Sequence, residues 1–126
     1  MPKKILVIED DPDARSLIET VLKLEGFDVT LAADGREGLD KVSVESPDLI
    51  ITDISMPRLD GLSLIQLLRT MPLYRAVPIL AITSFGTERA TTALRAGANR
   101  ALARPIRNEL LVEFVNNLLK TEATSH

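Results

Sequence analysis

The sequence predicts an α/β fold, a doubly wound parallel sheet with helices on both faces. Three observations carry that reading. Short apolar runs alternate with helix-period segments about every twenty to twenty-five residues, five times in 126 residues. The first run, Ile5-Leu6-Val7-Ile8, is continuous rather than alternating, as a strand covered on both faces requires. Aromatic residues make up only 3% of the chain, so the core must be aliphatic, and stacking platforms for single-stranded nucleic acid are missing.

In chain order, Ile5–Ile8 is the first expected strand. Pro12 opens a helix with Asp10 or Asp11 as its cap, and Ala14, Leu17, Ile18, Val21 and Leu22 form the apolar stripe before Gly26 stops it. Asp28–Ala32 is the second strand, and a helix over about Arg36–Val44 has only the weak stripe of Leu39 and Val42. Pro47 leads into a strand at Leu49–Thr52 that finishes at Asp53. The next helix carries Leu62, Leu64, Ile65, Leu67 and Leu68 and ends near Met71-Pro72. Val77–Ile82 is the fourth strand. Thr87 is a candidate cap for the helix holding Ala90, Ala93 and Leu94, which ends at Gly97. Arg100–Ala103 is a short fifth strand. The turn Arg104-Pro105 then enters a helix with Leu110, Leu111, Phe114, Val115, Leu118 and Leu119, and residues 121–126 are expected to fray as a disordered tail. Five β-α units call for a parallel sheet with right-handed crossovers, and no linker leaves room for a second domain.

Bulk properties exclude several chemistries. There is no Cys, so disulfides and thiolate metal sites are ruled out, in agreement with a cytoplasmic home. The only His is the terminal His126, which removes imidazole catalysis. The apolar run near the start is too short for a signal peptide or a membrane span. Charge is uneven: residues 9–60 hold fourteen acids against five bases, and residues 61–126 hold four acids against eight bases. An acidic, cation-binding crevice with a separate, more basic partner face accounts for this split, although ordinary solvated surface would look similar. The bases are dispersed with no basic helical stripe, so direct DNA binding is not expected.

In an open parallel sheet, chemistry gathers beyond the carboxyl ends of the strands. Those ends carry Glu9 and Asp10 after the first strand, Asp53 after the third, Thr83 after the fourth and Arg104 after the fifth. Three carboxylates at one edge repel one another unless a cation intervenes, and Mg²⁺ favours such oxygen ligands. Asp10 and Asp53 are the expected direct ligands with the backbone carbonyl of Ser55, and Glu9 acts through a bound water. Mn²⁺ is an alternative ion. The twelve-residue EF-hand pattern is absent, which excludes that type of Ca²⁺ site. A carboxylate at such a centre can attack phosphorus, and Asp53, stiffly held at a strand end, suits the role. Thr83 and Arg104 would then meet the phosphoryl oxygens, with backbone N–H groups after Asp53 and Thr83 as further donors. No Walker loop, glycine-rich dinucleotide loop or nucleophile-base pair points to a conventional turnover enzyme.

Residues 3–120 closely resemble the receiver domain of bacterial two-component response regulators, through KKILVIEDDPDAR, PDLIITDISMPRLDGLSLI, VPILAITS and GANRALARPI. The second segment is the most specific, with Asp53 followed by Met56-Pro57 and Asp60-Gly61. The resemblance implies a flavodoxin-like sheet of order 2-1-3-4-5 with five helices, and one receiver domain over residues 1–126. It implies a phosphorelay role: Asp53 accepts a phosphoryl group from a sensor histidine kinase or a histidine phosphotransfer protein, with Mg²⁺ at Glu9, Asp10, Asp53 and the Ser55 carbonyl. Thr83 would be the switch hydroxyl, and Pro105 would follow a cis bond. Turnover would be limited to Mg²⁺-dependent self-phosphorylation from a phosphodonor and slow autodephosphorylation, since neither Arg58 nor Thr87 on the flanking loops is an obvious general base.

Two positions depart from the family pattern. Arg104 stands where Lys is usual, a planar fork in place of a point charge. Ala101 stands where an aromatic side chain usually swings inward, so a Thr-aromatic switch is not expected. Asn99 and Arg100 replace residues that are often acidic. The output would be altered docking of another protein near the fourth and fifth helices, by a monomer or a weak homodimer, in a free-standing chain or one domain of a longer regulator. The rival expectation is a phosphorylation-independent, receiver-like adaptor.

Overall fold

The structure, a computed structural model, describes residues 2–55, 60–84 and 87–123. Its elements run β1 (Lys4–Ile8), α1 (Pro12–Leu24), β2 (Asp28–Ala32), α2 (Gly35–Glu45), β3 (Leu49–Asp53), α3 (Gly61–Thr70), β4 (Ile79–Thr83), α4 (Thr87–Ala96), β5 (Arg100–Ala103) and α5 (Asn108–Ala123). The five strands form one parallel sheet in the order β2-β1-β3-β4-β5. That is the expected flavodoxin-like order.

The continuous apolar strands divide their side chains between two cores. Leu6, Ile8, Ile50, Ile79 and Ala81 meet α2, α3 and α4 through Val42, Leu64, Ile65, Leu68 and Ala93. Ile5, Val7, Leu49, Ile51, Leu80 and Ile82 face the other way, onto Ile18 and Leu22 of α1 and Leu111, Val115 and Leu119 of α5. Period-2 alternation along each strand thus places helices on both faces. Central strands β3 and β4 are buried at every position, which is why their sequences are near-continuous apolar runs.

Helix ends follow local chemistry. Asp11 is the cap of α1, its carboxylate accepting from the Ala14 N–H, and Pro12 occupies the first turn. Asp34 and Asp60 cap α2 and α3 in the same way. Gly26 and Gly97 take positive φ, and the paired bonds Phe27 N–H to Leu22 O and Gly26 N–H to Lys23 O close α1 as a Schellman motif.

Several boundaries differ from expectation by a residue or two. β4 begins at Ile79 rather than Val77, because the Val77 N–H is taken by the Tyr74 carbonyl in the preceding turn. It also runs one residue further, to Thr83. The last helix includes residues 121–123, and the rest of the expected tail, 124–126, lies outside the described residues. Helix α4 starts at Thr87 itself, and the Thr87 side chain, proposed as a cap, lies outside the described residues.

A side chain with no expected role, Arg69 at the end of α3, ties the lower rim of the sheet together. Its Nε donates to Gly97 O at 2.9 Å, its Nη1 to the carbonyls of Tyr74, Arg75 and Val77, and its Nη2 to Asn99 Oδ1. Asn99 Oδ1 also accepts from the Ile79 N–H, where β4 starts. Arg69→Ala is therefore expected to cost about 2–4 kcal/mol, since it removes charge-assisted bonds and strips partly buried carbonyls of their donor. A urea midpoint lowered without a change in slope checks this.

Candidate functional site

The carboxyl ends of β1, β3, β4 and β5 bring the expected polar residues to one rim. Glu9, Asp10 and Asp53 each offer a carboxylate oxygen, and these atoms lie within 4.8 Å of one another. Glu9 and Asp53 are 1% and 6% exposed, so two of the three charges sit almost out of water. Parallel pairing holds them in place. Ile8 lies opposite Thr52 across β1 and β3, and Asp53 lies opposite Ile82 across β3 and β4.

Arg104 is the counter-charge. Its Nη2 contacts Glu9 Oε1 in a close ion pair and Asp53 Oδ2 at 3.2 Å. A single guanidinium nitrogen bridges two carboxylates, which is the placement a lysine ammonium would adopt, rather than a two-pronged fork on one partner. The Arg104 N–H donates to the Thr83 carbonyl and the Arg104-Pro105 bond is cis, as expected for this turn.

The electrostatics follow from burial. Burial pushes the Glu9 carboxyl up from its ordinary range, and the Asp53 charge adds to the rise, against the hydrogen bonds from the Asp11 N–H and Arg104 that pull it down. Burial works against the Arg104 charge, but Glu9 and then Asp53 outweigh it, so its guanidinium is held above its ordinary value. Glu9 is further fixed by Asp11 N–H on Oε2 at 3.1 Å, and its carbonyl accepts from Arg15 Nη1 at 2.8 Å.

Asp53 Oδ1, the oxygen not held by Arg104, accepts from the Ser55 N–H at 3.0 Å. Ser55 Oγ in turn accepts from Arg89 Nη2, on the first turn of α4, at 2.7 Å. Thr83 is fully buried, and its hydroxyl has no hydrogen-bond partner among the described residues. A buried hydroxyl left unmet is costly, so Thr83 at the end of β4 is a candidate donor to a bound group. The donor set is all oxygen, closely grouped and anionic, which fits a hard divalent cation.

The structure brings Glu9, Asp10, Asp53 and Arg104 together; Ser55 meets Asp53 through its N–H, and Thr83 ends the neighbouring strand β4. Met56, Pro57 and Arg58 lie outside the described residues. Sequence reasoning missed Arg15 and Arg89. Arg15 lies one turn into α1 and Arg89 sits among surface-patterned polar residues, so neither carries a local signal.

The fold and rim define a receiver module. The family model of the response regulator receiver domain matches residues 5–116, and the chain belongs to that family. It is 38% identical over 112 residues to an uncharacterized 14.6 kDa protein of Leptolyngbya boryana, covering 88% of this chain and 86% of that protein. It is also 38% identical over 121 residues to the response regulator MprA of Mycolicibacterium vanbaalenii, covering 95% of this chain and 52% of that one. The chain thus spans about half the length of MprA. Among solved structures, a response regulator described from Chloroflexus aurantiacus superposes with a TM-score of 0.93 at 35% identity, over 95% of this chain and 99% of that one. No helix among the described residues is long and apolar enough to cross a membrane.

Proposed function

We propose that this chain is a phosphoacceptor signalling module whose Asp53 takes a phosphoryl group from a phosphohistidine of a sensor kinase or phosphotransfer protein. One observation carries the reading: three carboxylates, a guanidinium and a buried hydroxyl with no partner among the described residues share one rim of the sheet.

Asp53 attacks phosphorus, the phosphorus–nitrogen bond to the donor imidazole breaks, and the freed imidazole takes up a proton. The product is an acyl phosphate on Asp53. Glu9, Asp10, Asp53 and the Ser55 carbonyl would hold Mg²⁺, with Mn²⁺ as a substitute. Bound there, the ion supplies neutralisation of charge on the transferring oxygens. Arg104 releases Asp53 and pairs with a phosphoryl oxygen, an exchange of one anion for a stronger one. Thr83 donates its free hydroxyl to another oxygen, and the Ser55 N–H orients the nucleophile. Slow self-dephosphorylation belongs to the same reading, since Arg58 and Thr87 on the flanking loops are not general bases by residue type.

Residues 1–126 act as one cytoplasmic receiver domain, free-standing or within a longer regulator. Its output is altered docking of another protein on the surface of α4 and α5. Arg100, stacked 4.3 Å over the Phe114 ring, forms part of that surface.

Incubation with acetyl phosphate and Mg²⁺, followed by intact mass, tests acceptance. One added phosphoryl group is expected in the natural chain and none in Asp53→Asn. No gain in the natural chain, or an equal gain in the variant, would leave the phosphorylation-independent adaptor standing instead.

A further inference from the structure

We propose that Arg89 is a positioning residue that couples α4 to the phosphoacceptor through Ser55, and that this link carries the phosphorylation signal to α4 without an aromatic at position 101. The inference rests on Asp53 being the phosphoacceptor.

Two hydrogen bonds in series join the helix to the carboxylate: Arg89 Nη2 to Ser55 Oγ at 2.7 Å, and Ser55 N–H to Asp53 Oδ1 at 3.0 Å. The two oxygens of Asp53 are thereby served from different parts of the fold. Oδ2 meets Arg104 beyond β5, and Oδ1 meets the chain of contacts that leads to α4. A phosphoryl group brings up to two negative charges and three strong acceptors to this carboxylate. Ser55 is the first residue on the Oδ1 side to feel them, and the Arg89 guanidinium is one hydroxyl away. Its planar fork can hold Ser55 with one nitrogen and turn another toward the new anion.

Helix α4 is built to respond. Among the described side chains of α4, Ala93 is the one buried in the core and Ala96 is partly buried against it, so the helix contributes only small residues to that packing. A helix anchored by few large apolar contacts shifts at low cost. Ala101, partly buried beneath it, has no ring to transmit movement. A charged tether on the first turn supplies the coupling from the end nearest the phosphoacceptor.

Amide NMR shifts of Ala90, Ala93 and Leu94, recorded with acetyl phosphate and Mg²⁺ and scaled to the fraction phosphorylated by intact mass, test the link. In the natural chain these amides move on phosphorylation. In Arg89→Gln the scaled movement falls several-fold, Arg89→Lys recovers part of it, and Arg89→Gln combined with Ser55→Ala loses no more than the single change, because both cut one chain of contacts. Undiminished movement in a folded Arg89→Gln protein, or full additivity in the double variant, overturns the proposal while leaving Asp53 as acceptor. Absence of any phosphoryl gain in the natural chain removes the Asp53 reading, and this one with it.

Discussion

Arg104→Met is expected to bind Mg²⁺ at least about tenfold more tightly than the natural chain while accepting phosphoryl groups more slowly. The same guanidinium nitrogen touches both Glu9 and Asp53, so a cation entering the cluster meets a charge already in place. Unit charges about 4 Å apart repel by about 4 kcal/mol at an effective dielectric near 20. Arg104 is about a third exposed and can swing aside, so only part of that repulsion is felt, and tenfold needs only about 1.4 kcal/mol. Calorimetric titration with Mg²⁺ reads the change. The variant also leaves the buried Glu9 without its partner, which lowers the melting temperature of the metal-free protein. Added Mg²⁺ should then raise that temperature more than it does in the natural chain, because a ligand that binds only the folded state stabilises it. Phosphoryl transfer moves the opposite way, since the charge that would meet the new anion is gone. Equal Mg²⁺ affinity in the two proteins would show that Arg104 does not guard the cluster.

Most of the fold was legible because strand burial writes itself into the sequence. Ile50-Ile51-Thr52 and Leu80-Ala81-Ile82 are buried on both faces, and runs this short, bounded by turn residues and repeating between helix-period segments, suit covered strands. Among the caps, Asp11 was one of two candidates beside Asp10, while Asp34 and Asp60 were not singled out although each answers a helix N–H. The rim was legible for a topological reason: parallel strands deliver their last residues to the same edge, so Glu9, Asp53, Thr83 and Arg104 could be grouped without knowing a distance. What local pattern could not carry was reach. Arg69 spans from α3 to Asn99, thirty residues on, and Arg89 spans back thirty-four residues to Ser55. A long flexible side chain chooses its partners only after the elements are packed. The start of β4 was misjudged for a related reason, because Val77 is apolar enough for a strand but its N–H had a nearer acceptor in the turn.

Gly61→Ala is expected to destabilise the fold by about 3 kcal/mol and to disable phosphoryl acceptance in whatever protein still folds. Gly61 begins α3, and its N–H donates to the Ile54 carbonyl at 3.3 Å. A methyl group there would overlap the Asp53 carbonyl oxygen and stand 2.5 Å from Ile54 Cα and 2.9 Å from the Asp53 carbonyl carbon. All three are backbone atoms, and no rotamer can relieve the overlap. Either α3 lifts from the sheet or the end of β3 bends, and overpacking of this kind costs about 1–3 kcal/mol or more. Gly26 gives the contrast: nothing lies within 4 Å of a methyl placed on it, and its φ of +92° is the only obstacle. Gly26→Ala should therefore cost only about 1 kcal/mol, with phosphorylation intact. Chemical denaturation ranks the two variants, and intact mass after acetyl phosphate treatment separates their effects on the site. A Gly61→Ala protein as stable as Gly26→Ala would mean that the first turn of α3 can move away from Asp53 freely, and the stiffness that prepares this carboxylate for attack would then have to come from Ser55 and Arg104 alone.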